Sequence, residues 1–145
     1  MSTGRTLAQM CGNTELCAVG PTSTVADAAR TMRDHRIGAV LVSEGGMLHG
    51  ILSERDVTYR AVAAGLDPNT TQVGQIMTRE VLTAGPATLA VNGLQLMAEN
   101  QVRHLPVVDG GNVVGIVSLR DFLAEEMAQV QDELSFEGAI AEELW

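Results

Sequence analysis

Slid along itself by 65 positions, the sequence aligns residues 16–60 with 81–125 without a gap, and this internal repeat restricts the fold more than any other feature of the chain. Eleven of the forty-five aligned positions are identical: Gly20/Gly85, Pro21/Pro86, Met32/Met97, Val42/Val107, Gly45/Gly110, Gly46/Gly111, Gly50/Gly115, Ile51/Ile116, Ser53/Ser118, Arg55/Arg120 and Asp56/Asp121. Chance would scatter such matches, whereas most of these fall between positions 45 and 56 of the first copy. The chain is therefore a tandem duplication of one small unit, and each copy must satisfy the same local rules.

Within each copy the hydrophobic period changes in the same order. Val25, Ala28, Ala29 and Met32, matched by Ala90, Gly93, Leu94 and Met97, follow i, i+3, i+4, i+7 and predict a helix with one apolar stripe. Pro21 with Thr22, Ser23 and Thr24, or Pro86 with Thr88, supplies caps at its start. Two short β-rich runs follow, residues 38–43 and 47–52 around Gly45-Gly46 and residues 105–108 and 113–117 around Gly110-Gly111, and each pair reads as a hairpin. A second helix is expected to start at Ser53 or Ser118, spanning 54–64 in the first copy, where Gly65 and Pro68 end it, and 119–134 in the second. Short apolar pieces at 16–19 and 81–83 add a leading strand to each copy. The expected fold class is α/β, an α+β arrangement of two β-α-β-β-α units.

Composition narrows the function. At 145 residues with 46% hydrophobic and 19% charged residues, the chain can bury a core without disulfides, so Cys11 and Cys17 are not needed as staples. With no secretory h-region and no long apolar run, a reducing cytoplasm is the expected location and membrane insertion is not expected. The net charge of −9 is concentrated at one end, because residues 121–145 hold eight acids and no base while residues 1–120 hold ten acids against nine bases. No basic stripe for duplex nucleic acid exists. All nine basic residues are arginine, and the absence of lysine excludes a P-loop ATPase and a Schiff-base enzyme.

The segments Gly50-Ile51-Leu52-Ser53-Glu54-Arg55-Asp56 and Gly115-Ile116-Val117-Ser118-Leu119-Arg120-Asp121 resemble the signature of the cystathionine β-synthase (CBS) domain: glycine, two hydrophobics, Ser or Thr, two variable residues, Asp. Ile76-Met77-Thr78 is similar to the family's linker between repeats. The resemblance covers residues 10 to about 128. It implies two CBS repeats, 10–66 and 81–128, joined by a linker at 67–80 and followed by an acidic C-terminal helix or tail at 129–145. It further implies a pseudo-twofold pair, a Bateman module of the free-standing type, that binds adenine nucleotides of the AMP, ADP or ATP class in the cleft between repeats. Such a module regulates by changing conformation and is not an enzyme. Its partners would be the nucleotide, a second copy in a homodimer and an effector protein that the sequence does not identify. No cofactor is required.

Site residues follow from the same motif. Ser53 and Asp56, like Ser118 and Asp121, stand at a helix start where unpaired N–H groups favour an anion. By resemblance, the serine holds phosphate or ribose and the aspartate accepts ribose hydroxyls. Arg55 and Arg120 add forked positive charge. Ser-x-x-Asp is also close to a capping box, which needs no ligand, but capping does not call for the arginine. Arg103 and His104 open the second hairpin where the family contacts base and phosphate, and Gly38 and Ala39 occupy those places in the first copy, so the second set has the more phosphate-friendly chemistry. Aromatic residues are only 3% of the chain, so adenine would lie between aliphatic walls, for which Cys17, Ile37, Val40, Leu82 and Ile116 are the candidates. No His or Cys pair has the spacing of a metal site, and none is expected. From Leu123 through Met127 and Val130 to Leu134, the second copy's last helix carries an apolar stripe for packing on the body or a second chain, and Gly138 is expected to end it. The rival function is a ligand-free interaction or dimerisation module with the same fold.

Overall fold

The computed structural model describes residues 4–12 and 16–134, so the acidic stretch beyond Leu134, with Gly138, lies outside the described residues. In chain order the elements are α1 (Leu7–Cys11), β1 (Ala18–Val19), α2 (Val25–His35), β2 (Ala39–Glu44), β3 (Met47–Ser53), α3 (Glu54–Asp56) running into a π-helical stretch (Val57–Val62), α4 (Val73–Ile76), α5 (Ala90–Asn100), β4 (His104–Asp109), β5 (Asn112–Ser118), a 3-10 turn (Leu119–Asp121) and α6 (Ala124–Leu134). The mixed α/β class expected from the period changes is what the chain adopts.

The elements divide into two units. One is Leu16–Val81; the other joins residues ahead of Leu16 to those from Leu82 onward. The first-repeat unit holds a three-stranded sheet in which β1 runs parallel to β2 and β2 antiparallel to β3. Thr24 caps α2 by accepting the Asp27 N–H, and the buried stripe of Val25, Ala28 and Met32 packs on Val40, Val42, Leu52 and Ala61. The hairpin turns at Gly45 and Gly46, whose φ of 60° and 80° favour glycine at both places.

The second-repeat unit repeats this plan with three differences. Its leading strand shrinks to a single parallel bridge between Ala84 and Val107, leaving a two-stranded sheet of β4 and β5. Leu89 precedes α5 without a side-chain cap, where Thr24 caps α2. The expected continuous helix over 119–134 is broken: Phe122 takes extended backbone (ψ 149°) to bury its ring in the core beside Leu105, Val117 and Val130, and α6 starts afresh at Ala124.

A feature with no counterpart in the sequence reading is that each repeat is completed by a short helix from outside it. In the first unit, α4 docks through Val73 N–H to Ser23 O and Gly74 N–H to Pro21 O, while Thr71 O accepts from Val25 N–H. In the second, α1 makes the matching bonds: Leu7 N–H to Thr88 O, Ala8 N–H to Pro86 O, and Arg5 O from Ala90 N–H. Both helices open with the N-cap amide held by the glutamine three residues on, Thr6 N–H by Gln9 and Gln72 N–H by Gln75, and in α1 the Thr6 hydroxyl completes the capping box by accepting the Gln9 N–H. Leu7 and Val73 are fully buried, each seated in its own unit's core.

Candidate functional site

In both units the antiparallel register sets the motif at one end of the hairpin. Ala39 pairs with Ser53 and His104 with Ser118, so the first residue of one strand faces the last of the other. The chain then turns into a helix whose leading N–H is taken by the residue just ahead of the first strand: Glu54 N–H donates to Gly38 O at 2.9 Å and Leu119 N–H to Arg103 O at 3.1 Å. Gly38 and Arg103 therefore hold the turn with their carbonyls, whatever their side chains do.

In the first unit Ser53 and Asp56 cap reciprocally, Ser53 N–H to Asp56 Oδ2 at 3.0 Å and Asp56 N–H to Ser53 Oγ at 3.1 Å. Asp56 is buried, at 9% exposure, and both of its carboxylate oxygens lie 3.3 Å from Thr78 Oγ1, which donates to them. Arg60 Nε lies 3.8 Å from the same carboxylate while Arg60 Nη1 donates to the Ile76 and Met77 carbonyls. Arg55 is exposed, its guanidinium 6.0 Å from the Tyr59 ring centroid. Val40 lies inside the core at 1% exposure; Cys17 and Ile37 are half-buried at its margin.

In the second unit Ser118 N–H donates to Asp121 Oδ2 at 2.7 Å and Ser118 Oγ lies 3.2 Å from the same oxygen. Asp121 and Arg120 are exposed, and Arg103, His104, Ile116 and Leu82 are half-buried. Leu82 packs on the unit's core. The two aspartates thus differ in a way their identical motifs hide, one enclosed by its own chain and one open.

Arg5 reaches the Asp121 backbone from far along the chain. Its Nη2 donates to the Asp121 carbonyl at 2.8 Å, and its Nε and Nη2 hold both oxygens of Glu126 at 3.0 and 2.9 Å. That hydrogen-bonded pairing raises the Arg5 pKa and lowers that of Glu126, which also accepts the Leu123 N–H. Cys11, buried against Gly115, has its thiol pKa raised by burial.

The sequence-chosen residues therefore fall into two groups: Cys17, Ile37, Gly38, Ala39, Val40, Ser53, Arg55 and Asp56 in the first unit, and Leu82, Arg103, His104, Ile116, Ser118, Arg120 and Asp121 in the second. Thr78, which entered the sequence reading only as part of the linker motif, and Arg60, which did not enter it, brace Asp56, and the i, i+4 spacing of Asp56 and Arg60 was a readable signal. Arg5 and Glu126 carried none, being 121 residues apart. Chemically, the second turn offers an exposed carboxylate that can accept hydroxyl donors beside an exposed arginine that suits an anion, whereas the carboxylate of the first turn is engaged by Ser53 and Thr78. Among the described residues no group of three His, Cys, Asp or Glu side chains is placed to share a metal ion. No described helix is long and apolar enough to cross a membrane.

The family model of the CBS domain matches residues 12–62 and 73–128. Protein YhcV of Bacillus subtilis, a CBS domain-containing protein, is 39% identical over 115 residues, 79% of this chain and 81% of its own. Among solved structures, the CBS domain NE2398 superposes with a TM-score of 0.76 at 34% identity, covering 90% of this chain and 98% of that one. Hypoxic Response Protein I, solved with two coordinated zinc ions, gives 0.69 at 35% identity over 80% and 94%. The CBS domain protein PAE2072 of Pyrobaculum aerophilum, solved in complex with AMP, gives 0.77 at 22% identity over 88% and 98%, a likeness of fold. A repeated motif at the same end of two hairpins, and a family match over both copies, lead to one conclusion: this chain belongs to the CBS domain family and carries two of its repeats, the pair that forms a regulatory module.

Proposed function

We propose that this CBS pair senses an adenine nucleotide of the AMP, ADP or ATP class and reports its occupancy by a change in conformation, without catalysing a reaction. The observation that carries the reading is the second repeat's turn, where the exposed Asp121 carboxylate and Arg120 guanidinium stand beside Ser118, Arg103 and His104. A ribose fits the carboxylate, and a phosphate fits the arginines. Half-buried Ile116 and Leu82 supply aliphatic surface for the base. That the fold can host AMP is supported by the Pyrobaculum aerophilum complex.

A reversible sensor calls for micromolar affinity, about −8 kcal/mol. Nucleotide at a hundred times its dissociation constant should then stabilise the protein by about 2.7 kcal/mol, visible as a rise in melting temperature. A thermal scan in which AMP, ADP and ATP at millimolar concentration all leave the melting temperature unchanged rejects the sensing reading in favour of a ligand-free interaction module. The enclosed state of Asp56 favours that second reading for the first repeat alone, since its carboxylate is already used by Ser53 and Thr78.

We also propose that the chain works in the cytoplasm as a homodimer. Tyr59 and Val62, 64% and 66% exposed, lie on the π-helical stretch with Leu66 just beyond, more apolar surface than a monomer's helix ordinarily leaves in water. Light scattering at tens of micromolar is expected to give twice the 15.3 kDa chain mass, and Tyr59→Glu with Val62→Glu to return it to the monomer value. A wild-type mass equal to one chain overturns the dimer.

A further inference from the structure

We infer that Arg5 is a positioning residue for the Asp121 turn, so that a side chain from ahead of the first repeat supports the second repeat's binding site. The inference rests on the sensing reading for its functional meaning and on the geometry of one guanidinium for its substance.

The two motif turns face the same mechanical problem and solve it differently. After Asp56 the helix continues through Val57–Val62, so the turn that carries the carboxylate is held by the next turn of the same helix. After Asp121 no such continuation exists: the 3-10 turn ends there, Phe122 is extended, and α6 begins only at Ala124. A one-turn 3-10 segment has poor hydrogen-bond geometry and little stability of its own. Arg5 stands in for the missing helix. Its Nη2 donates to the Asp121 carbonyl, an acceptor that a continuing helix would have served from within, and the same guanidinium grips both oxygens of Glu126 in the first turn of α6. Glu126 in turn accepts the Leu123 N–H at 2.8 Å, which fixes the residue between the two helical pieces. One planar fork thereby ties the end of the motif turn to the start of α6.

Arg5 is itself firmly placed. Its carbonyl takes the Ala90 N–H at 2.8 Å, and two residues on, Leu7 is fully buried in the second unit's core. Thr71 holds the corresponding place in the first unit, where its carbonyl takes the Val25 N–H, and there the Asp56 turn is braced by Thr78 and Arg60 instead. Arg5 lies outside the region matched to the CBS domain, so the brace belongs to this chain's own leading segment.

The test compares wild type, Arg5→Ala, Arg5→Lys and Glu126→Gln with a core control, Leu94→Ala, by hydrogen exchange and by calorimetric titration with AMP, ADP and ATP. Loss of the brace is expected to speed exchange of the 119–123 amides about tenfold while the first-repeat amides keep their rates, and to weaken nucleotide binding about tenfold. Arg5→Lys, whose ammonium cannot span both partners, should fall between. Leu94→Ala should lower the melting temperature further than Arg5→Ala yet leave the affinity of the folded protein in place, which separates positioning from general stability. Wild-type exchange rates at 119–123 in Arg5→Ala overturn the positioning role whether or not nucleotide binds. Faster exchange with unchanged affinity overturns the link to binding. A wild-type protein that takes up no nucleotide overturns the sensing reading and leaves the exchange result to decide the case of Arg5.

Discussion

Gly50→Ala is expected to destabilise the first-repeat unit by about 3 kcal/mol, the upper range for forcing a methyl into a packed interior. The reason is proximity. A Cβ at Gly50 would lie 2.6 Å from the Thr78 carbonyl oxygen and 2.8 Å from Met77 Sδ. The thioether can swing aside, but the carbonyl cannot, because Thr78 is bridged to Ile51 by two backbone hydrogen bonds of 2.9 and 3.0 Å. Accommodating the methyl therefore means lifting the chain after α4 off β3. Gly115→Ala meets Cys11, whose Cβ would be 2.7 Å away, and α1 must shift by the same logic; with no backbone bridge at that point the expected loss is smaller, about 2 kcal/mol. Gly85 is the control, since it too is identical between the repeats but has nothing within 4 Å of a built Cβ, and Gly85→Ala should stay within about 0.5 kcal/mol of wild type. Urea unfolding followed by far-UV circular dichroism reads all three. A Gly50→Ala midpoint as high as that of Gly85→Ala would mean that Met77 and Thr78 do not lie against β3.

These glycines show what a sequence says and what it withholds. The identity of Gly50 and Gly115 between the copies was visible, and so was their place in an apolar strand; that the cause is the approach of another segment was not, because the segments concerned, around Cys11 and Met77, follow no local pattern shared with β3 or β5. Where the cause is local, the reading carried over to the structure: the Gly-Gly hairpins, the stripes of α2 and α5, and the reciprocal Ser53–Asp56 pairing all depend on residues within a few positions of one another. Ile76-Met77-Thr78 drew notice only through its resemblance to a linker, whereas in the structure the Thr78 hydroxyl donates to Asp56, a contact across 22 residues. The break in the last helix had a local cause with a distant reason: Phe122 sits in a good helical sequence, and only the core it fills, built from α5, β4 and α6, makes the extended backbone worthwhile. Arg5 is the extreme case, since an isolated arginine ahead of the repeat looks like solvent-exposed charge until Glu126 is brought to it.

Asp121→Ala is expected to weaken nucleotide binding ten- to a hundredfold, because it removes charge-assisted hydrogen bonds to ribose hydroxyls at about 1.5–3 kcal/mol each. Asp56→Ala should cost less affinity and more stability, an opposite pairing that follows from burial. Asp121 is exposed and its carboxylate accepts the Ser118 amide and hydroxyl, so truncation removes one cap, about 1 kcal/mol, and opens no buried cavity. Asp56 is 9% exposed, and its removal strands the Ser53 N–H and the Thr78 hydroxyl and deprives Arg60 of its nearest carboxylate, an expected loss of about 2–3 kcal/mol. Charge at the matched positions points the same way as burial: Arg103, His104 and Arg120 accompany Asp121, while Arg55 and the neutral pair Gly38 and Ala39 stand at those places around Asp56, whose further cation, Arg60, is tied to the Ile76 and Met77 carbonyls. Affinity by calorimetric titration and stability by thermal melting must be taken on the same preparations, since a destabilised variant can lose apparent affinity merely by unfolding. If Asp121→Ala lowers the melting temperature and leaves nucleotide affinity intact, Asp121 is a cap and the second repeat is not the binding site. If Asp56→Ala has the larger effect on affinity, nucleotide sensing stands but its seat is the first repeat, and Thr78 must then give up the Asp56 carboxylate when ligand arrives, which would make the segment after α4 the first part of that unit to respond.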